Sequence, residues 1–171
     1  MTGSRRPAGL ARRLAALAYE ALLVTALVLI LGFVMLPLVS PSAAHPSGAP
    51  VLPPWPARVG LFMFVFTMLA LYFTWCWTGG RATLAQKTWH LRIVGHDGAP
   101  PSRRSALARY LAAWIGPVAA LIAYGVLHAR GWGAHAAWLV ALNWLWAFID
   151  RDRGFLHDRI AGTRIVRTGS E

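Results

Sequence analysis

The 171 residues are 57% hydrophobic and 13% charged, so the apolar content exceeds what one soluble core needs. A formal charge of +11, from 17 Lys and Arg against 6 Asp and Glu, would suit a nucleic-acid binder in a soluble chain, but its placement has another cause and no nucleic-acid partner is expected. The single cysteine, Cys76, excludes an internal disulfide and a thiolate metal cluster within one chain.

In chain order, the first apolar stretch runs from 14 to 39 and predicts a membrane span, since about 20 apolar residues cross a bilayer as helix. The basic start and the small residues Ser42, Ala43 and Ala44 also suit a cleaved signal peptide, but the length of the stretch and Glu20 within it favour a retained span. Pro37 is expected to kink or end the helix. The connection from Ser40 to Pro56 carries six prolines and predicts an irregular, partly extended loop. A second span is expected over 59–77. Cys76 lies in it between Trp75 and Trp77, as a small packing group.

The connection 78–105 is more than a linker. Arg81 to Trp89 reads as a short interfacial helix, and His90 to Val94 alternates apolar and polar residues before the Gly95-His96-Asp97-Gly98 turn signal. Spans three and four are expected over 106–127 and 132–149, joined by a tight reversal at Gly131 and Gly133 into a helical hairpin. In the tail, 150–171, Thr163 to Arg167 alternates like residues 90–94, so two short strands are expected to pair beneath the membrane. Trp55, Trp89, Trp114, Trp132 and Trp138 suit interfaces; Trp75, Trp77, Trp144 and Trp146 are expected to pack helices together.

Charge sets the orientation, because Lys and Arg are retained in the cytoplasm. Fifteen of the 17 basic residues fall before the first span, between the second span and the first turn of the third, which holds Arg109, or after the fourth; only Arg58 and Arg130 lie on the other two connections. The expected architecture is therefore an all-α membrane protein, one domain over 1–171. It has four transmembrane helices, cytoplasmic N and C termini, and a short interfacial helix with two short strands on the cytoplasmic side.

Several fragments in order resemble the RDD family of bacterial inner-membrane proteins, named for an arginine and two aspartates. They are Gly9 to Leu17, Tyr72 to Trp75, Thr78 to Leu84, Lys87, Leu91 to Val94, Gly98, Arg109-Tyr110, Asp150 and Leu156 to Thr163. The first family aspartate appears here as Glu20, and Ala85 stands where the family commonly has Gly. The resemblance implies the fold, a multi-pass place in the bacterial inner membrane, and a link of some members to sodium/proton exchange.

Arg13 and Glu20 are seven residues apart, hence on nearly one helix face and about 10 Å apart along its axis. An acid inside an apolar span is costly unless it faces the bundle and is paired or neutralised. Asn143 and Asp150 share the same spacing, so Arg13, Glu20, Arg109, Asp150 and Asn143 are expected to form one intramembrane polar cluster. It reads either as an ion-pair clamp or as an ion or proton site. Arg12 is a further candidate partner for Glu20.

The tail motif His157, Asp158, Arg159, Gly162 and Thr163 reads as a hydrogen-bonded loop anchor or, through the His-Asp pair, as a proton relay. His45, His128 and His135 are external and lack metal-ligand spacing, so no metal or other cofactor is expected. No catalytic constellation is visible, and an enzyme is not expected. The leading expectation is cation/proton exchange or a transport-associated role, which in four spans would need a homo-oligomer. The alternative is a non-catalytic scaffold whose basic face binds anionic inner-leaflet lipid or a membrane-protein partner.

Overall fold

The computed structural model describes residues 8–39, 53–150 and 153–168. The proline-rich connection as far as residue 52 lies outside the described residues, with Ser42, Ala43, Ala44 and His45 in it, as do Arg5, Arg6 and Arg151.

Helix α1 (Leu10–Val39) is built mainly of Ala, Leu and Val and already includes Arg12 and Arg13, both good helix formers. It continues two residues past Pro37. Helix α2 (Trp55–Trp77) starts with Pro56 in its first turn, where a missing N–H breaks no bond. At its end the Thr78 hydroxyl donates to the Thr74 carbonyl at 2.9 Å, and Arg81 Nε donates to the Trp75 carbonyl at 2.7 Å. A basic side chain thus satisfies a terminal carbonyl. Gly79 and Gly80, at φ +60° and +74°, then turn the chain away.

The connection folds. Helix α3 (Leu84–Thr88) is opened by a capping box: the Thr83 hydroxyl accepts the Gln86 N–H, and Gln86 Oε1 accepts the Thr83 N–H. It is shorter than the expected 81–89 helix. Ala85, which replaces the family's common glycine, is completely buried. Strand β1 (Leu91–Gly95) pairs antiparallel with β2 (Thr163–Arg167), Leu91 opposite Arg167, Ile93 opposite Ile165 and Gly95 opposite Thr163. The expected ribbon is present, backed by α1 and α4: Leu91 packs with Ala8 and Ala16, and Ile93 with Ala106 and Tyr110.

Helices α4 (Arg103–Ala113) and α5 (Ile115–Leu127) follow one another with a break at Trp114. Three stretches, Leu10–Met35, Trp55–Trp77 and Arg103–Arg130, are long and apolar enough to cross a membrane. The core joins Cys76 and Trp77 to Ile93, Ala106 and Tyr110, and the Tyr110 hydroxyl donates to the Phe66 carbonyl at 2.9 Å. Trp75 departs from expectation. It is 62% exposed because it projects from the opposite side of α2 to this core, with the Arg81 guanidinium over its ring at 4.6 Å.

The fourth apolar stretch is not one continuous α-helix over 132–149. It is a 3₁₀ segment (Gly133–Ala141), the four-residue α6 (Leu142–Leu145) and a second 3₁₀ turn (Trp146–Phe148). It doubles back along α5 as a hairpin, held closely by two glycines. A Cβ on Gly116 would lie 2.7 Å from the Val140 carbonyl oxygen, and one on Gly133 would lie 3.0 Å from the Tyr124 ring. At about 2.0 Å rise per 3₁₀ residue, this short segment covers about 30 Å. Helix α7 (Leu156–Ile160) then packs on α4 and leads into β2.

Candidate functional site

The middle of α4, the short α7 and the start of β2 converge on Arg109. Its side chain is 5% exposed, and a charge so buried must be paired. It forms an ion pair with Asp158 Oδ1, donates to Thr163 Oγ1 at 2.9 Å and to His157 Nε2 at 3.2 Å, and lies over the Trp77 ring at 5.1 Å. Asp158 is 3% exposed, and its second oxygen accepts the Phe155 N–H, which opens α7. Because His157 accepts from a guanidinium, it is the neutral imidazole that fits. Burial, and then the Arg109 charge, hold its pKa well below the ordinary value of 6.5. In this geometry the His-Asp pair of the tail contacts Arg109 through both side chains.

The five residues of the expected intramembrane cluster are distributed over several smaller contacts. Arg13 is buried; its Nε donates to the Ala8 carbonyl at 2.7 Å and its Nη1 to the Arg153 carbonyl at 2.8 Å. Asp150 is near enough for its charge to act on Arg13, but its own contacts are Arg159 Nε at 3.2 Å and the Gly154 N–H at 2.8 Å. Asn143, 2% exposed, donates to the Ala113 carbonyl at 2.8 Å, next to the break between α4 and α5. Asn143 and Asp150 thus do not converge on one group.

Glu20 is half-buried where α1 meets α3, close to the Thr83 hydroxyl and within reach of the Arg109 charge. It makes no contact ion pair among the described residues. Arg12 instead donates to the Trp89 carbonyl at 3.4 Å. Of the other tail residues, Gly162 turns the chain at φ +64° between α7 and β2, and Thr163 lends Arg109 its hydroxyl. On the opposite hairpin His128 stacks on Tyr124 and His135 donates to the Trp132 carbonyl, so each has a local packing partner.

The arrangement of Arg109 before a terminal His-Asp-Arg, with Arg13 and an acid in the first helix, follows the fragments of the family resemblance. The RDD family model matches residues 7–162, most of the chain. The chain belongs to the RDD family. Together with its three long apolar helices this makes it a multi-pass membrane protein, set in lipid. No curated protein and no solved structure matches it. The RDD match takes in Arg13, Glu20, Arg109, Asp150 and Asp158 and stops one residue short of Thr163, the hydroxyl partner of Arg109.

The sequence does not show the central pairing. It makes Arg109 one of three candidate partners of Glu20, with Arg12 and Arg13, and the charges of Glu20 and Arg109 do reach one another, but the contact ion pair of Arg109 is with Asp158. The two are 49 positions apart, and only the β1–β2 ribbon, by fixing the tail beneath α4, brings them together. The alternation shared by residues 91–95 and 163–167 was the available signal.

Proposed function

We propose that this RDD-family protein is a four-span, single-domain cation/proton exchanger of the bacterial inner membrane, with both ends cytoplasmic and Glu20 as the group that takes up and releases the ion. The observation that carries this reading is the separation of roles between the carboxylates. Asp158 neutralises Arg109 and Asp150 is engaged by Arg159, while Glu20, inside a candidate span, has no contact cation among the described residues. An intramembrane acid in that condition is functional by default, since it would otherwise cost stability for nothing. The Arg109 cluster serves as the clamp that holds the cytoplasmic ends together.

Support for the fourth crossing comes from strand pairing. Strand β1 precedes α4 and β2 follows the fourth apolar stretch, and their pairing supports a reading in which both lie on one side of the membrane. The chain between them must cross an even number of times. If α4–α5 crosses, the segment Gly133–Phe148 returns, and its length of about 30 Å matches the hydrocarbon core. The Ala8 N–H donates to the Ile165 carbonyl, which supports the same side for the start of α1. The positive-inside rule makes it the cytoplasm.

Reconstituted vesicles with an imposed cation gradient test the exchange. Glu20→Gln is expected to abolish cation-dependent proton flux at unchanged insertion, and Glu20→Asp to retain at least a tenth of it; full flux in Glu20→Gln would remove Glu20 from the mechanism. The scaffold reading draws on a different observation, the exposed basic side chains Lys87, Arg103, Arg104 and Arg167 on the cytoplasmic unit. Under it, deleting 156–167 releases a co-purifying partner and no flux is measured in any form of the protein.

A further inference from the structure

A cavity of about 530 Å³ lies between the start of α1, the turn before α7, and β2, lined by Asp158 but not by its partner Arg109. Among the described residues its walls carry Arg13, Arg153, Arg159, Arg164 and His96 against two acids, Asp150 and Asp158. Both acids are already engaged, Asp158 by Arg109 and Asp150 by Arg159. The positive charge that remains is not balanced in the same way. The two hydrogen bonds of Arg13 go to backbone carbonyls, which orient its guanidinium, and Asp150, whose charge reaches it, is already in contact with Arg159. Arg153 and Arg164 are exposed and make no ion pair among the described residues.

A concave site with an excess of arginines suits a phosphate group, which guanidinium forks bind through paired N–H donors. The rim places the site in depth. Ala8, Gly9 and Leu10 line it, Leu10 begins the first long apolar stretch, and a Cβ on Gly9 would meet nothing within 4 Å. The opening therefore sits where the chain enters the bilayer, at the level of lipid phosphates.

We infer that this cavity binds a phosphate-bearing anion, with Arg13 as the fixed donor at its base and Arg153 and Arg164 closing over it from the turn and the strand. The site does not include Glu20 and does not depend on whether that residue exchanges ions.

Purified protein titrated with inorganic phosphate and, separately, with short-chain phosphatidylglycerol or phosphatidylcholine at constant ionic strength tests this, read by intrinsic tryptophan fluorescence and by mass of the intact complex. Saturable binding of one anionic probe at one per chain is expected. It should weaken at least tenfold in R153Q/R164Q and less than twofold in R103Q/R104Q, which removes the same charge from exposed positions on α4 outside the cavity. Arg13 is left intact because its substitution would remove bonds that seat α1. A response to phosphatidylglycerol alone assigns a lipid headgroup, and a response to inorganic phosphate assigns a soluble ester; either sustains the site. Equal weakening in both double variants, or no saturation with either anionic probe, overturns it. Equal binding of phosphatidylcholine also overturns the requirement for net negative charge.

Discussion

His157 is neutral at the heart of a cationic cluster, and this has a definite consequence for pH. Its folded pKa lies well below 6.5, the value it returns to on unfolding, so below that pH the unfolded chain binds a proton that the folded protein refuses. The stability that depends on neutral His157 is thus complete above about pH 6.5 and is lost as pH falls through it toward the folded value. His157→Gln keeps an acceptor for Arg109 but cannot titrate. In detergent, the apparent Tm of the parent is expected to fall between pH 7 and pH 5.5, and that of His157→Gln to fall distinctly less; parallel profiles would show that another group governs the acid limb. Asp158→Asn in the same series should be destabilised at every pH, by about 3–5 kcal/mol, because it strands the buried Arg109 charge.

At the level of elements, the hairpin of α5 and the fourth apolar stretch depends on backbone approach. Alanine normally improves on glycine in a helix by up to about 1 kcal/mol. At Gly116 the added Cβ would meet the carbonyl oxygens of Val140 and Leu139 at 2.7 and 2.9 Å, backbone atoms that cannot rotate away. At Gly125, on the same helix, it would meet nothing within 4 Å. Gly116→Ala is therefore expected to destabilise by about 1–3 kcal/mol and Gly125→Ala to be neutral or mildly stabilising, read as apparent Tm. An equal gain from both would mean that the hairpin is looser than this contact implies. The 3₁₀ character of the returning segment belongs to the same scale: the apolar run of residues 132–149 was legible, but its rise per residue was not, because composition does not distinguish the two helix types.

For the whole molecule, the β1–β2 ribbon ties the connection between α2 and α4 to the tail, and under the proposed topology it constrains how many times the chain crosses the bilayer. Single-cysteine variants in a Cys76→Ser background expose this directly. On intact spheroplasts an impermeant maleimide is expected to label Arg130→Cys, and to label Lys87→Cys and Arg167→Cys only after permeabilisation. Labelling of Arg167→Cys from outside would leave three crossings and break the strand pairing.

The sequence by itself determined the membrane class, the spans at 14–39, 59–77 and 106–127, the family, and the approximate strands, because each depends on composition or short-range periodicity. It also indicated that Arg109, Glu20 and the tail motif are the residues with chemistry to explain. Only the tertiary structure decided which of them meet. Arg109 pairs with Asp158, Asp150 with Arg159, and Asn143 with a carbonyl at the α4–α5 break, leaving Glu20 without a contact cation among the described residues. The reason is physical: charge placement along a chain reports the side of the membrane, but a buried ion pair forms where distant segments pack. Here that packing is set by two five-residue strands and the turn at Gly162.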